Sequence, residues 1–264
     1  MTTRTIPATP VRSAPSPGST PPIPQYSRTA LLGVWAAAAV PMAALAWLGA
    51  PRLAGSISGP APLGQALLIC LTVGLVWQFA LVLLLVRREQ GALSWTVARD
   101  ALWLRSPRSP RTGRVGGRVW LVVIPLTAAF YAEQFVPLLP HPAARDLGSL
   151  LATDDGSRLL HGNWALFGLS VTMAVFNTIL GEELLFRGFL LPRMNGAFGR
   201  LDWVANGVLF AVYHLHIWWK IPAAMLDALI LAYPTKRYRS AWIGIAVHSV
   251  QSVFLTIVLL RLVL

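Results

Sequence analysis

Apolar residues along this chain gather into runs of about twenty, and short stretches between the runs hold nearly all of the charge. Runs of that length suit helices that cross a bilayer, because about twenty residues at 1.5 Å each match the thickness of the hydrocarbon. The pattern predicts spans near residues 29–50, 63–86, 119–139, 163–190, 202–219, 221–233 and 241–262, the sixth of them short. The expected fold is therefore all-α, a polytopic transmembrane helix bundle of about seven to eight spans.

Composition removes the soluble alternative. With 55% hydrophobic residues and 12% charged ones, the chain lacks the polar surface that a soluble domain of 264 residues needs. A net charge of +12 would suggest nucleic acid if it lay on a folded soluble face. Here the arginines sit in tails and loops, where they set topology against an anionic leaflet, so no nucleic-acid partner is expected. Arg4, Arg12 and Arg28 precede the first span and only Arg52 follows it, while the loop after the second span runs from Arg87 and Arg88 to Arg118. The next loop balances Asp146, Asp154 and Asp155 against Arg145 and Arg158, and rich and poor loops go on alternating to Lys236, Arg237 and Arg239. This alternation predicts a cytoplasmic N-terminus. Residues 1–28, rich in Pro, Ser and Thr and free of acid, read as a disordered cytoplasmic tail ahead of a transmembrane region over 29–160.

Three smaller features add little chemistry. Cys70 lies in an apolar run, allows no intrachain disulfide and is expected to pack as a small hydrophobe. Residues 92–104 suit a short helix, either at the membrane interface with Trp95 and Trp103 at headgroup depth or within an ordinary loop. The glycines of 113–118 lack the spacing of a nucleotide phosphate loop.

The informative stretch is TILGEELLFRGFLLPRM, residues 178–194, which sets Glu182, Glu183 and Arg187 in apolar surroundings. A charge in hydrocarbon costs several kcal/mol unless it is paired or faces a cavity. Helical geometry lets Glu183 pair with Arg187 four residues on, and it turns Glu182 about 100° away, to aim elsewhere. Gly181 and Gly188 bracket the pair and permit close approach of another helix or a substrate backbone. Two later spans carry Phe210 with His214, and His248 with Gln251 and Ser252. Glu182 lies roughly 12 Å from the cytoplasmic end of its span, His248 roughly 10 Å and His214 roughly 18 Å, so the three groups come to similar depth.

That set of groups fits peptide-bond hydrolysis. A glutamate can take a proton from water and later hand it to the leaving amine, and His214 can hold the same water. His248 and the Ser252 hydroxyl, four apart on one face, can donate to the oxyanion. His216 is expected on nearly the opposite face from His214, with Trp218 and Trp219 in an aromatic belt. Asn177 and Asn206 are either interhelical hydrogen-bonding residues or supports behind the site, and Asp227 is an intramembrane acid with no visible partner.

These residues resemble the CPBP family, the CAAX-processing and bacteriocin-processing intramembrane proteases that include the Rce1 prenyl-protein peptidase. The likeness lies in Glu182-Glu183-x-x-x-Arg187 within EELLFRG, in Phe210-x-x-x-His214, and in His248 within the span entered through SAWIGIAVHS; it covers roughly residues 163–262. It implies a catalytic helical core over 161–264 with a conical cavity open to the cytoplasmic side. Glu182 would be the general base, His214 would help activate the water, Glu183 with Arg187 would be the ordering pair, and His248 would be an oxyanion donor. The family often has asparagine four residues after that histidine; this chain has Ser252, and Gln251 is a possible substitute. The implied protein sits in a bacterial inner (cell) membrane and acts on a membrane-anchored peptide or protein, with no cofactor.

Three other readings remain open on the residues. One uses the same Glu and His side chains as zinc ligands, although no HExxH occurs. Another is a non-catalytic scaffold or immunity-type protein in which the polar cluster only ties helices together. A proton or ion pathway would need polar groups spread across the whole span, and spans four, five and seven show none towards the outer leaflet.

Overall fold

A computed structural model describes residues 23–264; the tail reading for residues 1–22 lies outside them. Among the described residues no strand forms, apart from one isolated bridge between Arg108 and Val115. The helices are α1 (Arg28–Ala54), α2 (Pro62–Gln90), α3 (Trp95–Ala101), α4 (Val123–Tyr131), α5 (Leu147–Leu151), α6 (Asp154–Leu160), α7 (Trp164–Arg193), α8 (Asn195–Ala224), α9 (Ala228–Tyr238) and α10 (Ala241–Val263).

Four of these, α1, α2, α7 and α10, are long and apolar enough to cross a membrane. The chain is an integral membrane protein. The pair α8 and α9 passes the same test jointly but is bent by 78°, as a broken span or a re-entrant loop. Length and composition thus give four spans, or five with the bent pair, where hydropathy alone predicts seven to eight. The difference falls on three runs. Residues 119–139 form only α4, with 3-10 turns on each side and Pro137 and Pro140 beyond it. The runs 202–219 and 221–233 become the two arms of the bent pair.

Close packing depends on small residues, as expected where lipid is as apolar as the helices themselves. A Cβ on Gly74 of α2 would lie 2.7 Å from Met42 Sδ of α1, and one on Gly207 of α8 would lie 2.5 Å from Ala228 Cα of α9. Cys70 packs with Ala46, Ala50, Ala66 and Leu67. The main core surrounds the second half of α7: Leu185, Phe186, Phe189 and Leu190 are fully buried against Leu31, Met42, Leu75 and Phe210.

Polar ties join the elements at two levels. The indoles of Trp35 and Trp47 on α1 donate to the Leu209 and Leu215 carbonyls of α8 at 2.8 and 3.0 Å. Near the end of α7, the buried Arg193 donates through NH2 to Glu89 Oε2 of α2 at 2.6 Å and through NH1 to the carbonyls of Phe189 and Ala101. Glu89 also accepts the Tyr26 hydroxyl, and the Tyr26 amide donates to the Arg193 carbonyl. Residues 23–27, read with the tail in the sequence, therefore run along the end of α7, where Gln25 bonds Pro192 and Gly196. In the basic loop α3 starts at a Ser94 cap, Trp95 is 64% exposed, and Trp103 adopts a left-handed φ of 51°.

Candidate active site

The middle of α7 is not a regular α-helix. Wide π turns occupy Phe176–Gly181 and Leu184–Leu190, one on each side of Glu182 and Glu183. Such bulges recur at functional sites, because they re-aim side chains and release backbone carbonyls. One carbonyl within the second stretch, that of Phe186, takes the Asn206 side-chain amide of α8 at 2.8 Å. Asn206 is thus an interhelical brace, completely buried. Gly181 and Gly188 meet other backbones as the sequence suggests: an added Cβ would lie 3.3 Å from the Leu75 carbonyl oxygen and 3.2 Å from that of Leu102, respectively.

Glu182, Glu183 and Arg187 are all buried. Glu183 Oε1 is the junction of the cluster: Arg187 NH1 lies 3.1 Å from it and His248 Nδ1, arriving from α10, also lies 3.1 Å from it. Gly244, one turn before His248, makes room for that carboxylate, since a Cβ there would sit 2.3 Å from Glu183 Oε2. The Arg187 guanidinium stacks over the Phe210 ring at 3.9 Å, a cation–π contact in a desolvated setting. Phe210 also meets His214 edge-on at 4.8 Å and His248 at 6.4 Å, so one ring stands between both imidazoles and the arginine.

His214 owes its orientation to a change of helix type. At this residue α8 tightens into the 3-10 stretch His214–Lys220, and the His214 amide bonds Ala211 instead of Phe210. The Phe210 carbonyl is thereby free to accept the His214 Nδ1 proton at 2.9 Å. In the neutral ring this leaves Nε2 as an acceptor. The same tightening corrects the reading of His216, whose ring stacks beside that of His214 at 5.6 Å instead of facing away. Trp219 is likewise not in an exposed belt: it is fully buried and stacks on His141 at 4.9 Å, while Trp218 remains 37% exposed.

Glu182 lies within electrostatic reach of His248, Glu183 and Arg187, and beside the Tyr213 hydroxyl. That hydroxyl also receives the Gln78 amide of α2 at 2.5 Å. Glu183, Arg187, Phe210 and His248 are therefore in direct contact, with Glu182 next to them. Ser252 is a turn beyond His248 and half-buried, and its side chain joins none of these contacts; Gln251 is exposed. His141 and His161 stand outside the cluster. Asp227 has the partner that sequence could not show: it is buried within hydrogen-bonding reach of Glu133, which follows α4, and both acids lie within electrostatic reach of Arg187. Phe130 of α4 packs edge-on against His248 at 5.3 Å.

The arrangement offers a carboxylate, Glu182, that forms no salt bridge among the described residues, a ring nitrogen held as an acceptor, and a second imidazole tied to an ion pair. No curated protein and no solved structure matches the chain. The segment that carries all three motifs does have a match: residues 163–254 are similar to the family described as "Type II CAAX prenyl endopeptidase Rce1-like".

Proposed function

We propose that the chain is an intramembrane endopeptidase in which Glu182 activates a water against a peptide bond near the membrane junction of a C-terminally anchored or lipidated substrate. The match of residues 163–254 to the Rce1-like family supports a CAAX-protease type of enzyme. Intramembrane ionisable groups that converge from several helices are costly and usually functional.

In this reading Glu182 takes one proton from the water as its oxygen bonds the carbonyl carbon, and passes that proton to the amine nitrogen as the C–N bond breaks. The Nε2 lone pair of His214 accepts the other hydrogen of the water, which its Nδ1 bond to the Phe210 carbonyl prepares it to do. His248 gives its Nδ1 proton to Glu183, so donation from Nε2 to the oxyanion requires the doubly protonated ring, and Glu183 supplies the facing charge. Arg187 holds that carboxylate in place. Ser252 adds a hydroxyl one turn further on, in the place where the family often has asparagine. The N-terminus is cytoplasmic and the membrane a bacterial inner one, in keeping with the alternation of basic loops.

The observation that carries the proposal is the shared Glu183 oxygen, which binds a cation from its own helix and an imidazole from another beside a second glutamate, Glu182. Its test is Glu182→Gln, co-expressed with candidate C-terminally anchored proteins. Loss of a general base lowers turnover by about 10²–10⁴-fold. The cleavage fragment should vanish while the variant inserts and purifies as before. A fragment that persists would show that Glu182 is not the base.

A further inference from the structure

An open cavity of about 690 Å³ lies between the basic loop and the residues that lead into α10. Its lining combines two chemistries: Arg114, Arg118, Ser109, Thr112 and Tyr238 are polar, and Val115, Val119 and Val122 are apolar. The loop that forms it is folded back on itself: Arg108 bridges Val115, the Ser109 amide donates to the Arg114 carbonyl at 2.8 Å, and Gly113, Gly116 and Gly117 turn the chain with φ of 70°, 67° and 54°.

The two arginines are uncommitted. Arg99 and Arg105 of the same loop both hold Asp100, whereas no carboxylate among the described residues pairs with Arg114 or Arg118. The surroundings of the cavity are also informative. Arg118 stands one residue before the apolar run that begins at Val119, and Leu121 and Ile124 of that run are 58% and 67% exposed on the outside of the bundle. Tyr238 is three residues before α10 begins. A cleft that joins two arginines and three valines beside an exposed apolar stretch suits a ligand with an anionic head and an alkyl chain.

We propose that this cleft binds an anionic phospholipid of the surrounding leaflet, its phosphate against Arg114 and Arg118 and the first part of its chains along Val115, Val119 and Val122. Inorganic phosphate shares the charge but not the apolar half. The loop is fastened to the start of α10 by three hydrogen bonds: Arg108 N to the Tyr238 carbonyl at 3.0 Å, Ser240 Oγ to the Arg105 carbonyl at 2.6 Å, and Ala241 N to the Trp103 carbonyl at 2.9 Å. A bound lipid therefore braces the end of the helix that bears His248.

The test is native mass spectrometry of the purified, delipidated full chain in detergent, with phosphatidylglycerol or phosphatidylcholine of identical chains added. One phosphatidylglycerol should be retained in preference to phosphatidylcholine, and millimolar inorganic phosphate should not displace it. Arg114→Gln and Arg118→Gln should each weaken retention about five-fold. Arg111→Gln removes the same charge from the same loop but does not line the cleft, and it should leave retention unchanged. Equal retention of the two lipids, equal loss in Arg111→Gln, or displacement by phosphate would each overturn the proposal. Should a cleft variant fail to fold, the lipid preference and the phosphate competition of the unaltered chain decide alone.

Discussion

Glu183 meets Arg187 and His248 with one oxygen, and its other oxygen faces Gly244 and has no hydrogen-bond partner among the described residues. A methyl group at position 244 would have to displace a carboxylate tip, which can move, so the cost falls on the geometry of the site more than on the fold. Gly244→Ala should abolish most turnover while lowering stability by only about 1–3 kcal/mol, read by cleavage assay and thermal unfolding side by side. A second single-residue expectation concerns Tyr26, outside the membrane. Burial pushes its phenol well above the ordinary value of 10.0, and the bond to Glu89 adds to the shift. A folded value above the unfolded one contributes stability that is complete below pH 10.0 and is lost progressively above it. Wild type should therefore be more stable than Tyr26→Phe at neutral pH, and the gap should close as the pH climbs past that value. At this scale regular helical spacing is legible in the sequence: four residues give the Glu183–Arg187 pair, whereas the 3-10 tightening that brings His216 beside His214 is not. It is silent on the capture of Glu183 by His248 and on the meeting of Asp227 with Glu133, because those partners arrive from other helices.

Among the elements, α8 does the most with the least regular structure. Its tightening at His214 frees one carbonyl for the His214 ring, and the Trp35 and Trp47 indoles take two others, so that no break in the ladder near the site is left to hydrocarbon at those three groups. Hydropathy locates α1, α2, α7 and α10 because each is one long apolar run. It misses the π turns of α7 and the bend after α8, since neither changes the count of apolar residues. The bend itself rests on Gly207, where an added Cβ would strike Ala228 Cβ at 2.2 Å and its Cα at 2.5 Å. Backbone on that side cannot yield as a carboxylate tip can. Gly207→Ala should therefore split α8 from α9 and lower the unfolding temperature of the whole protein, in contrast to the activity-selective effect at Gly244. Equal thermal stability of this variant and wild type would show that the two arms are not held at that crossing.

On the scale of the whole molecule, the helices that precede the family match are fastened to the segment inside it. Arg193 is completely buried between Glu89, Phe189 and Ala101, and removal of one partner of a buried pair costs about 3–5 kcal/mol. Glu89→Ala should show that loss in unfolding of the detergent-solubilised protein, and with it easier proteolysis after residue 28. Composition reveals that such a bundle must exist but not which helices are neighbours, since the apolar runs of α1 and α2 would suit any position.

Gln78 and Phe130 also come from that preceding part, yet Gln78 holds the hydroxyl beside Glu182 and Phe130 packs on His248. A minimal enzyme cut from residue 163 onward would keep every motif and lose the walls behind them. Transplanting the three motifs into another bundle meets the same obstacle, because their reactive groups depend on upholstery that no motif encodes.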